Sequence, residues 1–354
     1  MSQAAHYSPS EFRFGFLPEE TIGTALVPAS GKTLQLINVD SISAPSLNTE
    51  IVSDVRSGAG RTAKTADLYV NSTLMKREIS FSGTADYNSL PELLSAVMGV
   101  AEASTDLFKV LVGHTPLFDM KTDVQRTDDT TAATYASAWA ASGATNAGTH
   151  TVYIWSPVTG KSMQFKGCVL QSLTVSSEMS SESGRFKVEG SWVTGYNADL
   201  TVAAPNSSFV TAYSSNYYYL TDIDTHTAVA GVSDPVMQSF SMTVDNPTEY
   251  LGFVGTSEVK PEIISRAVPE ISANWESTFK YDTDSAGLFE TYEAGTNVAL
   301  TTSDSNNAKI GFTSANNVIT SVGFAENAAQ YVTVGAKVLA GASGSMLEIV
   351  AKDA

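Results

Sequence analysis

The chain has 354 residues with one cysteine, a net charge of −17 and only 16% charged side chains. A surface this acidic repels phosphate, which argues against specific nucleic-acid binding and against docking on anionic membranes. Because charged residues are scarce, the polar surface must consist mainly of Ser, Thr, Asn and Gly, a composition that favours packed β-sheets over exposed helices.

The N-terminal ten residues have neither the basic start nor the apolar run of a secretion signal. No apolar run in the chain approaches the ~20 residues that cross a bilayer. A single thiol cannot form an internal disulfide, so no oxidising compartment is indicated. We expect a protein that is made in the cytoplasm and has no membrane segment.

Residues 78–86 alternate with a period of two, which predicts a strand with one buried and one solvated face. The buried face would carry Ile79, Phe81, Gly83 and Ala85, and the solvated face Ser80, Ser82, Thr84 and Asp86. A helix is expected directly afterwards, because residues 88–92 combine capping side chains with an early Pro and an early acid, and Gly99 can end it.

Two segments lack a sustained periodicity. Residues 121–150 and 197–233 are rich in small and hydroxyl side chains, and we interpret them as insertions in surface loops in which short hairpins can form. The second contains Tyr217, Tyr218 and Tyr219, a candidate exposed aromatic contact patch. The simpler alternative is that both are plain surface loops.

The strand-then-helix pattern returns near the C-terminus. Residues 270–282 alternate, with Asn274, Glu276 and Thr278 on the solvated face and Trp275 and Phe279 on the buried one. A short helix is predicted to follow and to end at residue 295. The chain therefore contains a weak internal repeat, which is one of pattern and not of residue identity.

Two Val- and Leu-rich runs, residues 331–340 and 345–351, flank a Gly-Ala-Ser-Gly sequence, which predicts a hairpin. Cys168 lies in an alternating run and should be a buried or half-buried core residue. The four histidines are scattered and lie in none of the recognised catalytic motifs, and the acidic residues form no complete calcium loop. We expect no catalytic residues, no metal and no cofactor.

Three segments carry a resemblance to a known family. Residues 166–176 and 184–192 pair a strand, a polar turn and a second strand with a Gly near its end, residues 239–247 and 267–278 form a later pair of strands, and residues 14–24 form a lead-in segment. Together they resemble the major tail tube protein of long-tailed bacteriophages. The likeness covers roughly half of the chain and is one of strand and turn pattern, without a signature motif.

The resemblance implies a fold: a mainly β protein, with a β-sandwich or distorted barrel of the phage tail-tube type and one or two short flanking helices. An N-terminal arm, residues 1–24, would precede one β domain, residues 25–354. Phe14, Phe16 and Leu17 would then lie in an arm that contacts the next ring.

The resemblance also implies a function, without catalysis. Six copies would form a ring, and stacked rings the hollow tail tube of a virion. The partners would be other copies, a tape-measure protein, other tail proteins, and DNA that passes along the lumen without specific binding.

The residues give independent support for such a tube. Long two-faced strands have open edges, which neighbouring subunits in a ring can cover. The candidate lumen-facing residues are Ser80, Ser82, Thr84, Asp86, Asn274, Glu276 and Thr278. A hydroxylated, acidic lining would repel phosphates and let DNA slide. Alternatively, these faces meet bulk solvent.

Two other functions remain open. Another virion β protein, such as a head decoration, baseplate or fibre component, would share the composition and the strands. An acid-based hydrolase on a β-sandwich would use the plentiful carboxylates. Assembly into hollow tubes would separate the first from a tail tube, and an activity lost on mutation of one acid would identify the second.

Overall fold

The computed structural model describes most of the chain between residues 11 and 351. The described residues are 11–19, 21–30, 32–43, 50–53, 68–71, 77–98, 101–102, 107–111, 117–119, 124–125, 149–158, 160–223, 228–233, 235–251, 261, 263–266, 272–282, 285, 287–302, 309–325, 328–339 and 345–351. They form antiparallel sheets and two short α-helices, which confirms the prediction of a mainly β protein.

The first part of the chain contains helix α1 (Ser89–Met98) and most of the short strands. Its strands are β1 (Arg13–Pro18), β2 (Leu34–Ser43), β3 (Glu50–Ser53), β4 (Leu68–Asn71), β5 (Arg77–Thr84), β6 (Ala101–Glu102), β7 (Leu107–Leu111), β8 (Leu117–Asp119), β9 (Val124–Gln125), β10 (His150–Trp155), β11 (Ser162–Glu178), β12 (Lys187–Thr194), β13 (Asp199–Val202) and β14 (Val210–Thr211).

The second part contains helix α2 (Leu288–Ala294), which ends at Gly295 in the left-handed conformation, as the sequence predicts. Its strands are β15 (Ala228–Val229), β16 (Val232–Ser233), β17 (Met237–Asp245), β18 (Thr248–Leu251), β19 (Ile263–Arg266), β20 (Ser272–Lys280), β21 (Val298–Thr301), β22 (Ile310–Ala325), β23 (Ala328–Val338) and β24 (Ser345–Ala351).

Eight strands form one continuous antiparallel sheet. Their order is β2–β5–β12–β11–β17–β20–β23–β22. The first four come from the N-terminal part of the chain and the last four from the C-terminal part, so the pairing of β11 with β17 joins the two halves. The central β11–β12 hairpin, predicted from residues 166–192, is present.

The two halves are built in the same way. In each, a strand (β2 or β17) leads through a small antiparallel pair (β3–β4 or β18–β19) to a second strand (β5 or β20) and then to a helix (α1 or α2). A short strand (β10 or β21), a long one (β11 or β22) and a return strand (β12 or β23) follow. The strand-then-helix repeat predicted from sequence is therefore part of a larger duplicated unit.

The β-bulges confirm the duplication. A bulge is one extra residue in one strand of a pair, and its position is a specific feature of a fold. Three bulges recur at equivalent positions of the two units: at Val39/Ser41 and Met237/Ser239, at Leu170/Ser172 and Ile319/Ser321, and at His150/Val152 and Val298/Leu300. When the two units are aligned by their bulges, Ser82 corresponds to Thr278 and Glu189 to Thr333. Ser82 lies opposite Glu189 in the first unit and Thr278 lies opposite Thr333 in the second, so the strand pairing agrees with the alignment.

Each unit closes on itself as a distorted six-stranded barrel. In the first, β1 pairs with both β2 and β10, so the pairings run β1–β2–β5–β12–β11–β10 and back to β1. In the second, β15 occupies the place of β1, next to β21 and to β16, which leads into β17. Phe14, Phe16, Phe81 and Trp192 fill the first barrel with ring contacts of 5.1 to 5.3 Å.

The N-terminal arm prediction is wrong for the residues that were to form it. Phe14, Phe16 and Leu17 lie in β1, between β2 and β10, and are at most 1% exposed. These three side chains are core, because a strand that is paired on both edges and covered on both faces has no surface with which to reach another ring.

Two further expectations need correction. The runs around residues 341–344 form no hairpin with each other, because β23 and β24 both pair with β22, one after the other along the same edge.

The predicted insertions at 121–150 and 197–233 also contain structural strands: residue 150 begins β10, and 199–202 and 228–233 supply β13, β15 and β16. Residues 126–148 lie outside the described residues.

Candidate functional site: a hydroxyl-lined sheet face

One face of the eight-stranded sheet is predominantly polar across its width. Residues directly opposite each other in antiparallel strands point to the same face. One row across the sheet runs Ser41, Ser82, Glu189, Thr174, Thr243, Asn274, Lys337 and ends at Val318, the one apolar side chain in the row. The next row runs Lys187, Ser176, Ser241, Glu276, Gly335, Ser321. We call the surface formed by these rows and their neighbours the hydroxyl face.

The opposite face of the same sheet is a continuous apolar core. Its side chains are buried: Ile79, Phe81, Val188, Trp192, Leu173, Val175, Phe240, Met242, Val244, Ala273, Trp275, Phe279, Val332, Val334 and Ala336. Burial of each large apolar side chain stabilises the folded sheet by roughly 1.5–3 kcal/mol. The hydroxyl face is therefore carried on a rigid support.

Hydroxyl groups on neighbouring strands bond to one another. Three pairs lie at 2.8 to 2.9 Å: Ser41–Ser82, Thr174–Thr243 and Thr278–Thr333. Ser191 also donates to the Glu78 carboxylate at 2.6 Å. Each bond between two hydroxyls uses one of their two donors, so these pairs offer fewer donors to a ligand than free hydroxyls would.

We expect the hydroxyl pair at the junction of the two units to contribute measurably to stability. Thr174→Val should lower the free energy of unfolding by about 0.5–1 kcal/mol, the usual value of a partly buried hydrogen bond between strands. Urea unfolding of Thr174→Val, Thr243→Val and the double variant measures the coupling. The exposed Thr201→Val is the control. Additive effects of the two junction variants would contradict the bond.

The charges on the hydroxyl face are mixed and dispersed. It carries five carboxylates and three lysines: Glu78, Glu178, Glu189, Asp245, Glu276, Lys187, Lys280 and Lys337. Lys187 is held by Glu182 at 3.0 Å and by Asp40 at 3.8 Å, so this cation has acidic neighbours. Burial raises the pKa of Asp245. A surface with this excess of carboxylates repels a polyanion weakly and offers it no concentrated basic site.

The structure brings most of the predicted lumen-facing residues together. Ser80, Ser82, Asn274, Glu276 and Thr278 lie on the hydroxyl face and are exposed or half-buried. The sequence placed them on two separate strands, and the structure shows that β12, β11 and β17 connect those strands into one surface.

Two of the candidates contribute no exposed surface to it. Thr84 lies opposite Lys187 and points to the hydroxyl face but is only 5% exposed, and Asp86 is completely buried. The strand ends at Thr84, and the chain turns into α1, where the Asp86 carboxylate accepts hydrogen bonds from the backbone of Asn88 and Ser89. The alternation of β5 stops before Asp86, which is why the period-two pattern assigned it to the wrong side.

The prediction of an exposed aromatic patch at residues 217–219 is also wrong. Tyr218 is completely buried and packs on Tyr87 with ring centres 4.6 Å apart, while Tyr217 lies 4.3 Å from the Arg185 guanidinium. Tyr217 and Tyr219 are half-buried and pair through isolated bridges with Asp86 and Arg185. The segment closes over the end of β5 and is not an exposed aromatic surface.

Sequence reasoning missed the middle of the face. Glu189, Thr174, Ser176, Ser241 and Thr243 complete it, and they alternate with apolar residues just as the candidates in β5 and β20 do. The alternation therefore predicts the polar side of every strand. It does not predict the order in which the strands pair, so the sequence could not show that these residues form one surface.

Other kinds of site find little support in the described residues. Neither helix there is long and apolar enough to traverse a lipid bilayer. No three His, Cys, Asp or Glu residues in those ranges cluster so that they could hold a metal ion. Cys168 is buried, as predicted, and burial together with the nearby Glu19 charge raises its pKa. A thiol in that state is a poor nucleophile.

Comparisons with known proteins do not assign a family. No protein-family model matches the chain, and no curated protein matches it significantly.

Proposed function

We propose that this protein is a structural subunit of a bacteriophage tail tube, whose copies assemble into stacked rings with the hydroxyl face towards the lumen. The observation that carries the proposal is the eight-stranded sheet with one face filled by core and the other predominantly polar, hydroxylated and mildly acidic. The resemblance of the strand pattern to tail tube proteins supports it.

The chemistry of the face suits the passage of DNA. A lumen must not bind phosphates, because each contact with a Lys or Arg adds affinity and slows movement. Three pairs of hydroxyls on the face bond to each other, and its carboxylates outnumber its lysines. DNA would then pass without specific binding, after a tape-measure protein has left the lumen.

The proposal includes location and partners. The protein would be made in the host cytoplasm and would end in the virion tail. It would contact other copies, the tape-measure protein and other tail proteins, and it would catalyse no reaction. A head decoration, baseplate or fibre component is the alternative, and electron microscopy of the purified protein would show hollow tubes for a tail tube protein only.

Lysine substitutions on the hydroxyl face test the lumen assignment. A variant carrying Ser82→Lys, Thr174→Lys and Asn274→Lys places three cations in one row across the sheet. We expect its tubes to form and to retain DNA, so that genome ejection from assembled particles becomes at least tenfold slower at low salt. High salt should restore the rate, because screening removes the attraction.

The control adds the same charge elsewhere. Thr201→Lys, Ser207→Lys and Ser208→Lys are exposed positions outside the hydroxyl face. Particles with this control should eject normally. If the face variant also ejects at the wild-type rate at low salt, the hydroxyl face does not line the lumen.

A further inference from the structure

The junction between the two units shows how units of this kind join. Strand β11 pairs with β12 on one edge and, through residues 172–178, with β17 on the other. The equivalent of β11 in the second unit is β22, and the equivalent of β17 in the first unit is β2. In the described residues, 318–325 of β22 pair only with β23, and 38–43 of β2 pair only with β5.

The side chains at these two edges are more exposed than their equivalents at the junction. Val175 of β11 is 2% exposed, whereas Phe324, which occupies the same place in β22, is 53% exposed. Leu173 is buried and its equivalent Val322 is half-buried. On the other edge, Phe240 is buried and its equivalent Ile42 is half-buried. Each difference is what removal of a neighbouring strand would produce.

The edge of β22 also lacks the usual protection against pairing. Exposed edge strands normally carry Lys, Pro or other charged residues that prevent association. The 16 residues of β22 include no charged residue and no proline. The open edge itself comprises residues 318–325, and an unprotected edge of this kind is typical of a strand that is covered in the functional assembly.

We infer that β22 of one copy pairs antiparallel with β2 of the next copy, in the register of the internal β11–β17 junction. Ser176 lies opposite Ser241 at that junction, and the duplication transfers this pair to Ala325 and Ser43 of the neighbouring copy. This contact rests on the proposed assembly into rings and specifies its geometry. The hydroxyl face then continues from one copy to the next without a break.

The duplication also changes the number of copies in a ring. Each chain supplies two units, so a ring of six units contains three chains instead of the six that the resemblance implies. Strands lie about 4.8 Å apart, so the 24 strands of three copies, tilted by about 40°, close a barrel about 50 Å across. Two copies would give only about 30 Å, of which inward side chains occupy a large part, which leaves too little room for duplex DNA.

Cysteine cross-linking tests the contact and the count together. The double variant Ser43→Cys and Ala325→Cys is assembled and then oxidised. We expect disulfide-linked dimers and trimers on denaturing gels, with no larger species within a ring. Each single variant should give no ladder. The native Cys168 is buried and should not contribute.

The outcomes separate this contact from the tail tube function. Tubes that form without cross-links, or that give a ladder up to hexamers, would overturn the proposed junction or its count while leaving the tube intact. Cross-linked trimers that never stack into tubes would keep the junction and contradict the function. A protein that neither cross-links nor assembles at high concentration would contradict both.

A second variant does not depend on disulfide geometry. Phe324→Arg places a charge on the exposed edge, and rings should be lost completely while circular dichroism still shows a folded monomer. The Phe324 ring also contacts Tyr281 and Phe289, so the thermal unfolding temperature of the monomer should fall modestly, which is separate from the loss of rings. Tyr213→Arg, at a residue of similar exposure away from both edges, is the matched control and should assemble normally. Normal rings from Phe324→Arg would contradict the junction.

Discussion

An Asp86→Ala variant is expected to lose about 3 kcal/mol of folding free energy, the combined effect of a lost helix cap and of buried donors left without acceptors. One carboxylate oxygen accepts the backbone N–H groups of Asn88, Ser89 and Ser214 at 2.9 to 3.2 Å, and the other accepts the Ser89 hydroxyl at 2.6 Å. The Asp86 carbonyl accepts from Leu90 and starts α1. Asp86 therefore ties the helix to the segment around residue 214.

Two variants distinguish this role from the loss of any aspartate. Asp86→Asn keeps one oxygen in place and should recover more than half of the lost stability. Asp199→Ala removes an exposed carboxylate that also accepts a backbone N–H, from Thr201, and should cost at most about 0.5 kcal/mol. Equilibrium urea unfolding measures all three. An Asp86→Ala variant as stable as the Asp199→Ala variant would contradict the assignment.

The second large effect is a dependence of stability on pH that comes from Glu19. This carboxylate is 1% exposed and accepts hydrogen bonds from the backbone of Gly23 and Gly167 and from the hydroxyls of Thr149 and Thr151. Burial is the largest influence and raises its pKa from 4.5 to about 7, although the four hydrogen bonds act in the opposite direction. The native state therefore binds the Glu19 proton more tightly than the unfolded chain does.

The sign of the effect follows from that difference. A raised native pKa gives a contribution that is complete below pH 4.5 and is lost as the pH rises through about 7. Between pH 4.5 and pH 9 the loss amounts to about 3 kcal/mol. Since other groups also titrate, the relevant quantity is the difference between the wild type and Glu19→Gln, which cannot ionise.

Urea unfolding of both proteins at pH 5 and pH 9 provides the measurement. The wild type should lose about 3 kcal/mol relative to Glu19→Gln over that range. The absolute stability of Glu19→Gln should be lower at pH 5, because its amide nitrogen faces two donors. Glu189→Gln, an exposed carboxylate, controls for the loss of one charge. Equal pH profiles for the wild type and Glu19→Gln would show that Glu19 has the same pKa in both states.

The prediction of strand faces succeeded where the pattern was local. Alternation correctly separated Ser80 and Ser82 from Ile79 and Phe81 in β5, and Asn274 and Glu276 from Trp275 in β20. Both helices were also predictable, because an apolar stripe and a terminating glycine act within a few residues of each other, although the side chain that caps α1 is Asp86 and not one of residues 88–92. The burial of Cys168 followed from the alternation of its strand.

It failed where distant parts of the chain meet. Residues 14–18 are apolar without alternation, and a short run of this kind is equally consistent with an arm and with a fully buried strand. Only the pairing with β2 and β10 shows that Phe14 and Phe16 are core. Tyr218 is buried for a similar reason, because Tyr87 from elsewhere in the chain packs on its ring and the backbone of Phe186 donates to its carbonyl.

The local pattern of residues is enough to assign the apolar and the polar side of each long strand, since that property repeats every two residues and needs no partner. The side-by-side arrangement of eight such strands and the duplication of the unit became visible only from contacts between distant residues. Strand order, register and bulges depend on backbone hydrogen bonds between residues far apart in the chain. Nearly every side-chain pattern is compatible with several strand orders and registers, so the pattern does not select one.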